Sequence, residues 1–251
     1  MTDDIRYFFH DLALALQFLT RLPVPLRTAP DPERLAGSVK FYPFAGALIG
    51  VILAVAHATA SRFLPPLVSA AVTVAAWATL TGAMHLDGLM DAADGLLSHR
   101  GRGESLEIMK DSRVGAMGVV AGLLVLLVKF SALASVPAGP RSVGLLSAVV
   151  AGRISIVCCL ILFPYAREQG MGAFSRGLAP LPAVAGVLGG AAIAFGSAGA
   201  IALLTITGAA TVGFLAAASA NRALGGLTGD VYGAVCEITE AVALILWVAL
   251  I

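Results

Sequence analysis

The stretch Leu67–Gly95, LVSAAVTVAAWATLTGAMHLDGLMDAADG, places an apolar run of nearly membrane-spanning length directly before three aspartates. Asp87, Asp91 and Asp94 are spaced i, i+4 and i+7, so on a helix they lie within roughly 60° of one another. Unpaired carboxylates this close repel and raise each other's pKa values. The pattern therefore predicts an acidic helix face that holds a divalent cation such as Mg²⁺ or Mn²⁺. The alternative is a solvated acidic face, which the adjoining apolar run disfavours.

The composition is that of a polytopic membrane protein. Of the 251 residues, 59% are hydrophobic and only 12% are charged, whereas soluble domains are about 25% charged. The mean hydropathy is +0.92. A net charge of +1 offers no basic surface for nucleic acid. The three cysteines lack metal-ligand spacing, so we expect buried thiols and no disulfides, and the acidic, aromatic start MTDDIRYFFHD predicts no cleavable signal.

Apolar segments of about 20 residues, the length that crosses a hydrocarbon core, recur along the chain. They predict one all-α domain over residues 1–251, a polytopic bundle of six or seven transmembrane helices. Residues 1–40 are interpreted as an interfacial amphipathic helix over Ile5–Leu19 followed by a polar loop. The proposed spans are Phe44–Phe63, Leu67–Met84, Val114–Val136, Val143–Phe163, Ala183–Ala198, Gly199–Ala218 and Tyr232–Ile251. The fifth and sixth are divided only at GSAG, so one long helix stays open there.

The segments that connect these spans differ in charge. Twelve Lys and Arg residues fall in the N-terminal segment and in the second, fourth and sixth connecting segments, against Arg62 and Arg141 on the other side. Basic residues favour the cytoplasmic side of a membrane. We therefore expect the N-terminus and the acidic segment, residues 85–113, in the cytoplasm and the C-terminus outside.

The acidic segment continues into Lys110-Asp111-Ser112-Arg113, where a carboxylate lies between two cations. If this loop folds back, its cations can hold a pyrophosphate beside a divalent ion. A solvated loop with alternating charges is the alternative.

Two later connecting segments contain further candidates. In the fourth, Arg167 lies in a loop that either closes over a ligand or is an ordinary interfacial loop. In the sixth, Thr228 and Asp230 offer oxygen contacts to phosphate and metal respectively.

Two cations fall inside the predicted spans. Arg153 lies near the middle of its span, where a charge costs at least about 2.5 kcal/mol on insertion scales. It should face the bundle interior and pair either with a substrate phosphate or with Glu237 or Glu240, and both interpretations stay open. Lys129 lies nearer the outer half of its helix, and we expect it to snorkel outward.

Several ordered blocks together resemble one enzyme family. They are FLTRLPVP at Phe18–Pro25, FYPFAGALIG at Phe41–Gly50, HLDGLMDAADG at His85–Gly95, MKDSRVGAMG at Met109–Gly118, YAREQGMG at Tyr165–Gly172 and GGLTGD at Gly225–Asp230. The set is similar to the adenosylcobinamide-GDP ribazoletransferase, or cobalamin synthase, family, and the resemblance runs nearly end to end.

The resemblance implies a multi-pass enzyme of the cell inner membrane whose cofactor is Mg²⁺. Such an enzyme joins adenosylcobinamide-GDP to α-ribazole or its 5′-phosphate, giving adenosylcobalamin or its phosphate and GMP. The catalytic and metal-binding residues expected on this chemistry are Asp87, Asp91, Asp94 and Asp111. The expected substrate-binding residues are Lys110, Arg113, Arg153, Arg167, Thr228 and Asp230. A homo-oligomer, or a complex with other late cobalamin-pathway enzymes, is compatible with the resemblance.

Residue chemistry alone leaves other functions open. A membrane alcohol phosphotransferase with a CDP-activated donor, or a prenyltransferase, would also combine aspartate-rich helix ends with divalent metals. A transporter would use the carboxylates and Arg153 as a relay across the bilayer. The one-sided charge distribution argues against the transporter, because a conduit needs polar groups on both sides of the midplane.

Overall fold

The computed structural model describes residues 2–25, 31–136, 138–170 and 172–251, apart from the side chains of residues 2–4 and 138–141. Its helices are α1 (Thr2–Leu19), α2 (Pro32–Ser38), α3 (Tyr42–Ala60), α4 (Pro66–Thr81), α5 (Met84–Leu96), α6 (Arg102–Ile108), α7 (Ala116–Ser135), α8 (Ala138–Leu162), α9 (Pro180–Ala198), α10 (Ala200–Leu224) and α11 (Gly229–Leu250). Two short 3₁₀ turns, Val39–Phe41 and Ala173–Gly177, precede α3 and α9. The predicted all-α architecture is confirmed.

Within the described part of the chain, six helices are long and apolar enough to cross a membrane, namely α3 and α7 to α11. A seventh crossing results if α4 and α5 count as one span, and these two helices are bent by 89°. The predicted number of six or seven is therefore confirmed. The predicted span Leu67–Met84 ends early, at Thr81, because Gly82 and Ala83 adopt left-handed φ angles of 64° and 54°.

This break turns the acidic helix α5 away from the direction of α4. Asp94 of α5 meets the start of α7 and Gly88 meets Asp230 in the first turn of α11. Helix α5 therefore packs against the first turns of α7 and α11, at the end of the bundle where these two helices begin.

The apolar stretch after Pro180 forms two helices, so the division into separate spans at GSAG is confirmed. Gly199 has φ 60° and ψ −140°, a conformation that is open essentially to glycine alone. The second of these helices extends further than predicted, to Leu224 rather than Ala218.

Helix α8 lies at the centre of the bundle, packed against α3, α10 and α11. Every residue from Ser147 to Val157 is buried. Close helix packing of this kind depends on small residues, and a Cβ at Gly50 of α3 would lie 2.7 Å from Leu146 Cα. Arg153 is in the middle of this buried run, so its charge must be neutralised within the protein.

A buried cluster of four charges provides that neutralisation. Arg153 is fully buried and pairs with Glu240, which also contacts Lys129, while Lys129 Nζ lies 2.7 Å from Glu237 Oε2. The Lys129 ammonium also lies 4.2 Å from the centre of the Trp77 ring. Two cations thus balance two carboxylates across α7, α8 and α11. The expectation that Lys129 snorkels outward is wrong, because carboxylates inside the bundle are within its reach and only 3% of it is exposed.

The first helix has the expected character of an interfacial amphipathic helix. Leu14 and Leu19 are buried against the bundle, whereas Phe8 and Phe9 are about half exposed. Asp11 anchors the helix through Lys40, whose Nζ lies 2.9 Å from the Asp11 carboxylate. The middle of α1 is thereby held beside the 3₁₀ turn that precedes α3.

Candidate active site

Two glycines bring the acidic helix α5 against the start of α11. A Cβ at Gly88 would lie 3.0 Å from the backbone oxygen of Asp230, and a Cβ at Gly233 would lie 2.9 Å from that of His85. Side chains at these positions would force the two backbones apart. Their absence places Asp230 beside Asp87, whose side chain lines the same cavity.

The carboxylates on this end of the bundle interact electrostatically. Asp87 is exposed and Asp91 is partly buried. Burial, followed by the negative charges of Asp87, Asp230 and Asp94, raises the pKa of Asp91 to about 6, and the nearby Arg167 offsets only part of this. The predicted mutual repulsion is thus present, with Asp230 as a fourth carboxylate from another helix.

Asp94 has a second set of partners. Its two carboxylate oxygens accept hydrogen bonds from the backbone N–H groups of Gly115 and Gly118, at 2.7 and 2.8 Å. Asp94 therefore caps the N-terminus of α7, where an anion is favoured by unpaired N–H groups and the helix dipole. A metal ion bound by Asp94, as predicted, would have to share these oxygens with the two hydrogen bonds that cap α7.

Helix α6 and the turn after it place the Lys110–Arg113 charges in local pairs. Arg113 Nη2 lies 2.6 Å from Asp111 Oδ2, and this contact lowers the pKa of Asp111 to about 2. Lys110 pairs with Glu107 at 2.8 Å. The side chains of Lys110, Glu107 and Arg113 are largely exposed, and that of Asp111 is partly exposed. The structure therefore shows the solvated, alternating-charge arrangement at these positions, and the contacts to substrate and metal predicted for them remain predictions.

The fourth and sixth connecting segments are joined to each other. Ala166 N donates to Leu227 O and Leu227 N donates to Pro164 O, both at 2.8 Å. The approach is so close that a Cβ at Gly226 would lie 2.8 Å from Ala166 N. The pairing holds the loop that carries Arg167 against the start of α11.

This junction sets the position of Arg167. Its Nη2 lies 3.0 Å from Asp230 Oδ2, so a guanidinium reaches the carboxylate cluster. Thr228 is buried; its hydroxyl oxygen accepts a hydrogen bond from Val231 N at 3.2 Å and its hydroxyl lies 3.2 Å from Asp230 Oδ2. Thr228 is therefore the N-cap of α11, a role that orients Asp230.

Arg153 is separated from this surface. Its guanidinium points to Glu240 in the core, so of its two interpretations the structure shows the internal ion pair. A contact between Arg153 and a substrate phosphate has no support in this arrangement.

The donor set at the surface suits a hard cation. Over the described residues, no group of three or more His, Cys, Asp or Glu side chains is close enough to hold a metal ion as placed. The charges of Asp87 and Asp230 nevertheless raise the pKa of Asp91, as clustered oxygen ligands for Mg²⁺ do. The residue chemistry fits the ion, and the magnesium assignment remains a prediction.

A cavity of about 100 Å³ opens beside Asp87 and Asp230. Its wall comes from α1, α3, α5, α8, α11 and the 3₁₀ turn at Ala173–Gly177, and it is largely aromatic and aliphatic. The aromatic lining residues are Phe18, Tyr42, Phe174 and Tyr232. Sequence reasoning did not select these residues, although Phe18 and Tyr42 lie in two of the blocks that carry the family resemblance.

Fold and site together define a multi-pass helical membrane protein with an acidic site at one end of its bundle. The family model of cobalamin-5-phosphate synthase matches residues 11–248. The chain belongs to this family, whose members are transferases of cobalamin synthesis.

Relatives named adenosylcobinamide-GDP ribazoletransferase match the chain over most of its length. The protein from Pseudomonas aeruginosa PAO1 is 44% identical over 246 residues, covering 96% of this chain and 98% of the relative. The protein from Roseiflexus sp. RS-1 is 42% identical and covers 94% and 88% respectively. The protein from Brevibacillus brevis is 39% identical and covers 93% and 96%. No solved structure matches the chain.

Proposed function

We propose that this chain joins adenosylcobinamide-GDP to α-ribazole or α-ribazole 5′-phosphate and releases GMP. The observation that carries the proposal is the group of carboxylates beside a ligand-sized cavity, in a chain 44% identical to a relative named for this reaction. A transferase that acts on a diphosphate can neutralise its charge with a bound cation, and clustered carboxylates are the groups that bind such a cation.

The reaction forms one bond and breaks one. The 3′-hydroxyl oxygen of the ribazole bonds to the phosphorus that bears the cobinamide, and the bond from this phosphorus to the bridging oxygen breaks. The bridging oxygen leaves with its electron pair as part of GMP, and the hydroxyl proton passes to a carboxylate. A carboxylate of the cluster that does not hold the cation would accept it.

Asp87, Asp91 and Asp230 are the residues that would hold Mg²⁺ in this proposal. When bound, the ion supplies charge neutralisation for the diphosphate. Asp94 would act mainly by holding α5 against α7, so that the other aspartates keep their positions.

Arg167 is the proposed diphosphate ligand. Its guanidinium is already at the site, 3.0 Å from Asp230, and its planar fork can contact two phosphate oxygens at once. Lys110 and Arg113 remain exposed near the same end of the bundle and would attract the anionic donor over a longer range.

We further propose that this end of the bundle faces the cytoplasm from the cell inner membrane. The proposal is supported by the twelve basic residues assigned to that side and by the nucleotide character of the donor. The proposal is tested by introducing a cysteine at the exposed Glu104 and treating intact cells with a membrane-impermeant thiol reagent. We expect no labelling of this cysteine in intact cells, and labelling there would mean that the orientation is the reverse.

The activity is tested with the purified chain in lipid. The chain is incubated with α-ribazole and adenosylcobinamide-GDP, with a CDP-alcohol, or with a prenyl diphosphate, and the release of GMP, CMP or pyrophosphate is followed. We expect GMP release that Asp91→Asn lowers by orders of magnitude and that Glu104→Gln, a change at an exposed carboxylate, leaves intact. Release of CMP or pyrophosphate without GMP would replace the proposal with one of the other transferases.

A further inference from the structure

We propose that the cavity beside Asp87 and Asp230 binds the benzimidazole ring of the ribazole, so that it is the acceptor subsite of the reaction. The inference rests on the proposed function, because it assigns one of that function's two substrates to a defined place. Four properties of the cavity support it: its aromatic wall, its size, its polarity and its position.

The aromatic wall suits a flat ring. Phe18 of α1 stacks on Tyr42 of α3, with ring centres 6.1 Å apart and planes 17° from parallel. Phe174 meets Phe18 edge-on, with centres 6.3 Å apart and planes at 88°. Ile156 and Leu160 of α8 complete an aliphatic side. A planar heterocycle among these groups would gain both stacking and edge contacts.

The size of the cavity selects among the parts of the two substrates. A cavity of about 150 Å³ holds one benzene ring, so a cavity of about 100 Å³ that opens to the surface takes up one edge of a planar bicyclic ring and leaves the rest of the ring at the opening. Small side-chain movements would let a benzimidazole enter more deeply. A corrin macrocycle is several times too large, so the cobinamide must lie outside.

Polarity separates the benzimidazole from the guanine of the donor, the other bicyclic ring available. Guanine carries an exocyclic oxygen, an amino group and a ring N–H, each of which needs a partner when it is buried. A dimethylbenzimidazole offers methyl groups at that edge and a single free ring nitrogen. The wall is mainly apolar, and its buried polar groups are His85 and the hydroxyls of Tyr42 and Tyr232, which are fewer partners than a buried guanine requires. The cavity therefore fits the acceptor ring better than the donor ring.

Two tyrosines at the cavity wall have hydroxyls available for that ring nitrogen. The hydroxyls of Tyr42 and Tyr232 are buried and make no hydrogen bond to the residues that the structure describes. The Ser38 and Ser175 side chains lie near Tyr42 and Tyr232 respectively, without forming well-aligned hydrogen bonds to their hydroxyls. A buried hydroxyl without a partner is unfavourable, and donation to an acceptor nitrogen would remove this cost.

The position of the cavity then aligns the reacting groups. A benzimidazole inside it leaves its ribose at the opening, where Asp87 and Asp230 are found. The ribose hydroxyls would therefore lie at the carboxylates and near Arg167, 3.0 Å from Asp230, which is the proposed ligand of the donor diphosphate. Acceptor and donor would approach each other from the cavity and from the open surface.

The first test separates the Michaelis constants of the two substrates in the purified chain in lipid. Phe18→Leu removes an aromatic wall, and we expect a rise of about three- to ten-fold in KM for α-ribazole with KM for adenosylcobinamide-GDP unchanged within two-fold. Phe8→Leu is the matched control, because Phe8 is on the same helix but outside the cavity and half exposed. It should change neither constant.

The second test is a change in specificity, which simple damage to the fold would not produce. Ile156→Phe adds bulk to the cavity, so the preference for the riboside of dimethylbenzimidazole over that of unsubstituted benzimidazole should fall by at least about ten-fold. A variant that is merely less folded would lose both activities equally. Thermal unfolding of each variant shows directly whether it is folded.

The outcomes distinguish the subsite from the function. Any of three results would overturn the acceptor subsite while GMP release continued. They are a rise in KM for the donor instead of the acceptor, equal effects of the Phe18 and Phe8 changes, and an unchanged riboside preference in Ile156→Phe. If the unmodified chain releases no GMP with either form of ribazole, the proposed function itself fails and the subsite with it.

Discussion

Asp91 is the carboxyl whose protonation should control both the activity and the stability of the acidic site. Its pKa of about 6 lies about two pH units above that of an ordinary aspartate, because of burial and the charges of Asp87, Asp230 and Asp94. At pH 7 about one molecule in ten would be protonated at Asp91, and at pH 5 about nine in ten. We therefore expect GMP release at limiting Mg²⁺ to fall by about ten-fold between pH 7 and pH 5.

The effect on stability has the opposite sign. A raised pKa in the folded protein means that the ionised carboxylate is disfavoured, so the folded state loses stability as the pH rises through about 6. A shift of two pH units corresponds to about 3 kcal/mol. Asp91 is only partly buried, and after solvent screening we expect about 1 kcal/mol. In a metal chelator, Asp91→Asn should therefore be more stable than the unmodified chain by about 1 kcal/mol at pH 8 and equal to it near pH 4.

Magnesium should reverse this order. A ligand that binds only the folded state stabilises it by about 1.4 kcal/mol when its concentration is ten times its Kd. The unmodified chain should gain this stability at pH 8, and Asp91→Asn should gain little. Because Mg²⁺ and protons compete for the same oxygens, a ten-fold increase in Mg²⁺ above its Kd should also lower the midpoint of the pH profile by about one unit.

The assay is thermal unfolding of the purified chain in detergent at pH 4, 6 and 8, with chelator or Mg²⁺, beside the pH profile of GMP release. Glu104→Gln is the control, since Glu104 is an exposed carboxylate in a long 3.9 Å pair with Arg100 and should follow the unmodified chain. If Asp91→Asn were less stable than the unmodified chain at pH 8 in chelator, the carboxylates would not be repelling one another. The reasoning about the site would then be refuted.

Three further changes test other parts of the structure. Asp94→Asn weakens the acceptors of two backbone hydrogen bonds at the start of α7, and we expect a loss of about 1–3 kcal/mol in unfolding free energy, measured by thermal unfolding. Glu240→Gln leaves buried cations under-neutralised and should cost about 3–5 kcal/mol, which Lys129→Met in the same chain should partly restore; no rescue by the second change would contradict the charge balance. Arg167→Gln should raise KM for adenosylcobinamide-GDP about ten-fold while KM for α-ribazole stays constant, and the reverse pattern would place Arg167 with the acceptor.

Part of the candidate site could be predicted from spacing along one helix. The i, i+4, i+7 pattern of Asp87, Asp91 and Asp94 placed three carboxylates on α5, and the structure contains that helix. The different surroundings of the three could not be predicted. Asp94 turns to the N-terminus of α7 because that helix begins 21 residues later in the chain and folds back beside α5.

The connection of α4 to α5 shows the same limit. Apolar composition predicted a span through Met84, but the helix ends before Gly82 and Ala83 and the next helix is turned by 89°. Glycine at position 82 permits such a turn, while the preceding and following residues are equally able to continue a helix. The packing of α5 against Gly233 of α11 and the hydrogen bonds of Asp94 to the start of α7 favour the bent path.

The sequence by itself determined the all-helical membrane architecture and the family. Segments of span length must form helices in lipid, where every backbone polar group needs an internal partner, and this requirement depends on local composition alone. Only the tertiary structure decided which charges meet. Arg153 and Lys129 pair with Glu240 and Glu237, and Arg167 meets Asp230, because helix rotation and crossing depend on contacts between residues far apart in the chain.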